Sequence, residues 1–230
     1  MKLIAFVFFL GITLFPVDVF SQNQVNQLDD NGKPHGTWKK YYEGTEQLRY
    51  EGKFHHGKEI GEFKFYCEDC KNQPEAIKKF NRNDDIAEVK FFTKKGNVVS
   101  EGQMKGKDRI GEWITYHKNS KIPMIRETYS NGKLHGKQTI YYSNGKITEE
   151  VNYNNGLKDG ANIYYSTKGV AIKKFQYKDG NLHGPATYYD GHGNLIIEGA
   201  YKDNKKHGLW KYYKNGKVTV EETFPKKNRE

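Results

Sequence analysis

The chain has 230 residues, a formal net charge of +10, a hydrophobic fraction of 35% and a mean hydropathy of −0.94. This composition is too polar for a compact two-layer core of that length, and it favours one extended sheet with solvated edges. Basic and acidic residues are interspersed instead of forming a dense basic stripe. This pattern argues against nucleic-acid binding and leaves only a weak attraction to anionic surfaces.

The first segment of the chain predicts export. A basic start at Lys2 precedes an apolar run over residues 3–15, and small residues suit cleavage before Gln22. We interpret residues 1–21 as a signal peptide, which predicts a periplasmic or secreted protein. An uncleaved membrane anchor is the alternative, although the apolar run is short for a membrane span. Residues 22–30 then form a polar lead-in.

A repeat occupies residues 31–225, before a charged tail at residues 226–230. Equivalent glycines recur every 24 or 25 residues, apart from one double interval where a glycine is missing. Self-similarity at a fixed pitch indicates one supersecondary unit stacked many times, here about eight. We expect the glycines to occupy turns that need positive φ. These turn glycines are Gly36, Gly61, Gly111, Gly136, Gly160, Gly184 and Gly208.

One unit, Gly136–Asp159, shows how each repeat should fold. Its first half, residues 137–142, is rich in strand-forming residues. Asn144-Gly145 suits a tight hairpin turn, and the next segment alternates apolar and polar side chains, as a strand does. Each unit therefore predicts a β-hairpin. The whole array predicts an all-β fold, a single elongated and twisted antiparallel meander with about 16 strands.

The repeat resembles a known family. Several units approach G-x-W-x-x-Y-Y-x-x-x-G followed by E-x-x-Y-x-x-G-x-x-x-G, and Lys33–Gly36 and Lys133–Gly136 read K-x-H-G. This pattern resembles MORN repeats, most closely their bacterial variant, over roughly Asn31 to Phe224. The resemblance implies an all-β ribbon used for protein association and, in some members, membrane attachment. Similar proteins are also classed as YwqK-type antitoxins of a toxin–antitoxin system.

A column of histidines precedes several unit glycines, at His35, His135, His183 and His207. Neighbouring repeats should lie roughly 10 Å apart, because each adds two strands to the sheet. A metal ion needs three or four ligands at about 2 Å, so the column favours a turn or packing role and no metal site. No unit combines an acid, a base and a nucleophile. The sequence therefore predicts a non-enzymatic protein with no cofactor.

One unit carries an unusual loop that contains both cysteines, Cys67 and Cys70. The spacing is compatible with a redox motif, half of a metal site or a local disulfide. A redox motif normally lies at a helix start, and a zinc site needs more ligands. In an exported chain with two cysteines, a disulfide between them is favoured.

Aromatic residues recur at two positions of the unit, and they have two interpretations. They either pack across neighbouring strands and hold a thin sheet together, or line a groove for a peptide or glycan. The candidate binding face consists of Trp38, Trp113, Trp210, Tyr141, Tyr164, Tyr188 and Tyr212.

Together these features favour an exported binding or scaffold module for an unknown protein partner. The two open ends of the sheet also predict self-association, because unpaired edge strands seek partners. One alternative is binding to anionic envelope surfaces, such as lipid headgroups or acidic polysaccharide. Another is the antitoxin-like role that the family resemblance implies.

Overall fold

A computed structural model describes residues 25–226. The predicted signal peptide, part of the lead-in and most of the charged tail lie outside this range. Within it, every regular element is a β-strand, and there is no helix that could span a membrane.

The described residues form eighteen strands. They are β1 (Gln27–Leu28), β2 (Pro34–Tyr41), β3 (Leu48–His55), β4 (Lys58–Phe65), β5 (Ala76–Phe80), β6 (Ile86–Phe92), β7 (Val98–Lys105), β8 (Asp108–Tyr116), β9 (Pro123–Ser130), β10 (Lys133–Leu134), β11 (Gly136–Tyr141), β12 (Ile147–Asn154), β13 (Leu157–Tyr165), β14 (Ala171–Lys178), β15 (Asn181–Tyr189), β16 (Leu195–Lys202), β17 (Lys205–Lys214) and β18 (Lys217–Phe224).

The strands pair antiparallel in chain order, so the predicted all-β meander is confirmed. Each hairpin joins two successive strands, as β13 and β14 do through the register Gly160↔Tyr177. Two short strands account for the difference from the expected 16. Gln27–Leu28 adds a strand from the lead-in, and a break at His135 separates β10 from β11, both of which pair with β9.

The unit that lacks its glycine keeps the same register. Gly111 pairs with Tyr129 and Gly160 with Tyr177, and in the irregular unit Ala87 pairs with Met104. The alanine is buried and packs with Val89 and Trp113. A small residue at this position therefore maintains the hairpin even where the glycine is absent.

The unit glycines adopt positive φ, as at Gly160 (+95°) and Gly36 (+76°). The expectation that they occupy turns was wrong, because these two glycines lie within strands β13 and β2. We expect Gly160→Val to destabilise the protein by about 1–2 kcal/mol, because a β-branched residue is strained there. Gly36→Val imposes the same kind of strain at the end of the array, where one unit can unfold without its neighbours. Its effect on the urea midpoint of the whole array should be smaller. Equal shifts of the urea midpoint in the two variants would contradict the idea that neighbouring units stabilise one another.

Candidate functional site

Two of the three tryptophans assigned to the candidate binding face belong to the core of the sheet. Trp113 and Trp210 are each 1% exposed. Each ring lies directly over a glycine of the preceding strand. A Cβ atom built on Gly102 would lie 2.5 Å from Trp113 Cδ2, and one built on Gly199 would lie 2.3 Å from Trp210 Cδ2. These two side chains therefore cannot line an open groove, and their contacts follow the packing interpretation.

The remaining sides of these rings are also occupied. Both indole N–H groups donate to backbone carbonyls of the neighbouring strand, at 2.9 and 3.1 Å. The Arg109 guanidinium carbon lies 4.2 Å from the centre of the Trp113 ring, and Lys206 Nζ lies 4.2 Å from that of Trp210. A cation over an aromatic face is attracted by the ring quadrupole. Arg109 and Lys206 therefore cover the two tryptophan rings.

Trp38, in the first unit, is half-buried instead. Its Nε1 donates to the carbonyl of Gln27 at 3.0 Å, and its ring meets Phe54 edge-on at 5.7 Å. This tryptophan attaches the lead-in strand β1 to the array.

Three of the four candidate tyrosines share the face of the tryptophans and are half-buried. Phe175 lies between Tyr164 and Tyr188, with ring centres 6.0 and 5.4 Å away. The Tyr212 hydroxyl donates to Glu222 at 3.1 Å. Burial raises the pKa of Tyr164 and Tyr188, so both stay protonated well into the alkaline range. These tyrosines are the part of the predicted face that retains solvent access.

Tyr141 lies in a different column. It pairs with Ile147, as Tyr165 pairs with Ala171, whereas Ile140 takes the position equivalent to Tyr164. Because side chains alternate along a strand, Tyr141 projects from the opposite face of the sheet. Grouping it with the other three tyrosines was wrong, because its unit has one more residue between the glycine and the tyrosine pair.

The opposite face carries a polar ladder of glutamates, each bonded to a tyrosine of the next strand pair. The Glu101 carboxylate binds Lys90 Nζ at 2.9 Å and also accepts from the Tyr116 hydroxyl. These two partners hold the pKa of Glu101 below its usual value. The equivalent glutamate–tyrosine pairs are Glu51 with Tyr66, Glu150 with Tyr165 and Glu198 with Tyr213.

The cysteine loop connects β4 to β5. Cys67 and Cys70 are joined by a disulfide, and Asp69 between them pairs with Lys94. The disulfide occupies both sulfur atoms. Only the reduced thiols would be available to a metal ion, together with the nearby Glu75 carboxylate.

The histidine column does not behave uniformly. His183 Nδ1 lies 3.3 Å from Asp203 Oδ1, which is an ordinary turn contact. His35 instead meets His55 and His56, with ring centres 5.4 and 4.8 Å away. Reasoning from one histidine per repeat missed this cluster, because its other two members lie at the end of β3 and in the turn that follows. The signal was the adjacent histidine pair at residues 55–56, at the far end of the hairpin that begins beside His35.

The two ends of the sheet differ. At the N-terminal end, β1 pairs with the start of β2, Asn26 N donates to Thr37 O at 2.8 Å, and Asn26 Oδ1 accepts from Lys39 N at 2.8 Å. At the C-terminal end, β18 pairs with β17 and with no other strand of residues 25–226. Val218 and Val220 on this edge are 43% and 50% exposed.

A family model described as the MORN repeat variant matches residues 134–155, 182–203 and 206–224. These segments coincide with the hairpins β11–β12, β15–β16 and β17–β18. No curated protein matches the chain. MORN repeats suggest a repeat module that binds proteins or membranes. The YwqK-type antitoxin assignment stays a prediction, since no comparison bears on it.

Proposed function

We propose that this chain is an exported, non-enzymatic module that binds a protein partner along the free edge strand β18. The observation that carries the proposal is the asymmetry of the sheet. The N-terminal edge is covered by the lead-in segment, whereas β18 offers eight residues with one side unpaired among the described residues.

The composition of β18 suits strand addition by a partner. An extended segment can add to an exposed sheet edge, where backbone hydrogen bonds give affinity and side chains give specificity. Soluble proteins usually protect such edges with short strands, inward charges or proline. β18 is a full-length strand of eight residues, and beside its charged residues it exposes β-branched residues at Val218 and Val220. The strand is therefore suited to accept a partner segment, whether from another protein or from a second copy of this chain.

Binding to an anionic envelope surface is the second candidate, and the net charge of +10 favours it. Attraction to a charged surface is spread over many lysines and is screened by salt. The affinity for such a surface should depend on the total charge of the protein and not on the sequence of one strand. The two candidates therefore make different predictions for the same substitution at different positions.

Val220→Lys should reduce partner binding by at least about tenfold, because an added charge blocks pairing along the edge. The mature protein starting at Gln22 serves as bait for extracytoplasmic proteins of the source cells, and captured proteins are quantified by mass spectrometry. Wild-type protein should retain a partner at high salt. Val220 is half-exposed, so the melting temperature of the variant should change little.

Val99→Lys is the matched control, because Val99 is 39% exposed but lies on the internal strand β7. It adds the same charge and should keep the partner. Equal capture by all three proteins would refute the edge proposal. Salt-sensitive binding to phosphatidylglycerol vesicles that both variants strengthen would instead identify a surface binder. Retention of Met1 in the native protein, measured by intact mass, would refute cleavage of the predicted signal peptide before Gln22.

A further inference from the structure

Three histidines converge at one end of the first hairpin. His35 lies in β2, His55 ends β3, and His56 lies in the turn that follows. One nitrogen from each ring lies within 4.8 Å of the other two. Imidazole nitrogens are the commonest protein ligands for zinc and copper. The arrangement therefore brings together three potential ligands for a transition metal.

The turn position of His56 carries asparagine or aspartate in several other repeats. The equivalent turns place Asn131, Asn155, Asp179 and Asp203 at φ of 48–50°, and His56 has φ of 49°. Asparagine and aspartate accept this left-handed conformation more readily than most residues. The first hairpin keeps the conformation but substitutes histidine.

Two hydrogen-bonding features prepare the cluster for a ligand. Among the described residues, His35 Nδ1 is buried without a hydrogen-bond partner, although buried polar atoms are nearly always paired. His56 Nδ1 lies 2.6 Å from Asp29 Oδ2, and Asp29 is itself held by the backbone N–H groups of Asn31 and Lys33, both at 2.9 Å. A carboxylate that accepts from one ring nitrogen orients the other nitrogen toward a metal.

We propose that His35, His55 and His56 bind one Zn²⁺ ion and that Asp29 positions His56. Zinc requires nitrogen ligands at about 2.0–2.1 Å, so the rings must draw closer than the present separation. His55 and His56 are exposed, and their side chains can turn. Three histidine ligands leave a fourth tetrahedral position for water or for a group from a partner. The ion would join the start of β2 to the turn between β3 and β4.

The test uses untagged mature protein freed of metal by chelation and titrated with Zn²⁺ in a calorimeter. Wild-type protein should bind one equivalent and melt at a higher temperature with zinc, because an ion that binds only the folded state stabilises it. His56→Asn is the informative variant, since asparagine is the residue found at this turn position in other repeats. It should fold as well as wild type without metal.

Loss of a ligand should weaken zinc binding by more than about 100-fold in His56→Asn, whereas Asp29→Asn should weaken it by about 10–100-fold. His183→Asn, which changes a histidine outside the cluster, should bind zinc as wild type does. Zinc should also shift the NMR signals of the three cluster imidazoles and leave those of His183 unchanged. Absence of zinc binding by wild type, or equal affinity in His56→Asn, would overturn the proposal.

Discussion

Replacing Gly199 with alanine should destabilise the protein by about 2–3 kcal/mol, although it adds a single methyl group to a strand. The new Cβ atom would lie 2.3 Å from Trp210 Cδ2, far inside van der Waals contact. Gly199 does not have positive φ, so the cost comes from the ring and not from the backbone conformation. The free energy of unfolding in urea measures the effect, and tryptophan fluorescence should report displacement of the indole.

Gly191→Ala is the matched control. Gly191 also lacks positive φ, and a Cβ atom there would meet nothing within 4 Å. This variant should be as stable as wild type or slightly more stable, because alanine reduces the entropy of the unfolded chain. If Gly199→Ala were equally well tolerated, Trp210 would not be fixed against the strand. Packing of a ring over a glycine would then contribute little to the stacking of repeats.

The same packing recurs along the array. A Cβ atom on Gly52 would lie 2.4 Å from the Phe63 ring, and one on Gly102 would lie 2.5 Å from Trp113. In each case a glycine follows a glutamate, and the large aromatic residue lies on the next strand. The glycine removes a side chain from the core face so that a ring can cover the backbone. A thin sheet thus obtains a core without a second layer.

The hairpins could be predicted because their signals are local. Asn144-Gly145 and the alternation from Ile147 to Tyr153 define a turn and a strand without reference to the rest of the chain. Gly102 and Gly199 lie in the equivalent alternating strands of their own units, but their role depends on a ring of the next strand. Only the register between strands shows that each glycine lies beneath a tryptophan.

Contacts that lie outside the strand pairing of a hairpin were the main difficulty for prediction. His56 approaches His35 because the turn after β3 folds back beside the start of β2, where Gly57 N donates to Pro34 O at 2.8 Å. The difference between the two edges likewise depends on Asn26, whose contacts with β2 are non-local. Periodicity predicts equivalent positions in each unit. It does not show which positions of neighbouring units meet.

The polar ladder makes the free energy of unfolding depend on pH in the alkaline range. Burial, reinforced by the neighbouring glutamates, raises the pKa of Tyr66, Tyr116 and Tyr165 to about 12. The pKa of a tyrosine in an unfolded chain is about 10. Between these values the folded protein keeps protons that the unfolded chain has lost. The contribution of these tyrosines is therefore complete below about pH 10, and stability falls as pH rises toward 12.

We expect cooperative unfolding between about pH 10 and 12, with phenolate absorbance rising together with the loss of β-sheet circular dichroism. Lysines also lose their charge in this range, so a variant must isolate the tyrosine contribution. Tyr165→Phe removes the 2.8 Å hydrogen bond to Glu150 and should lower stability at pH 7. Because this variant also removes a group with raised pKa, its free energy of unfolding should fall less steeply between pH 10 and 12.

Tyr41→Phe, at an exposed tyrosine, is the control. Gradual phenolate absorbance with unchanged dichroism, or identical alkaline slopes for wild type and Tyr165→Phe, would show that the ladder does not control alkaline stability.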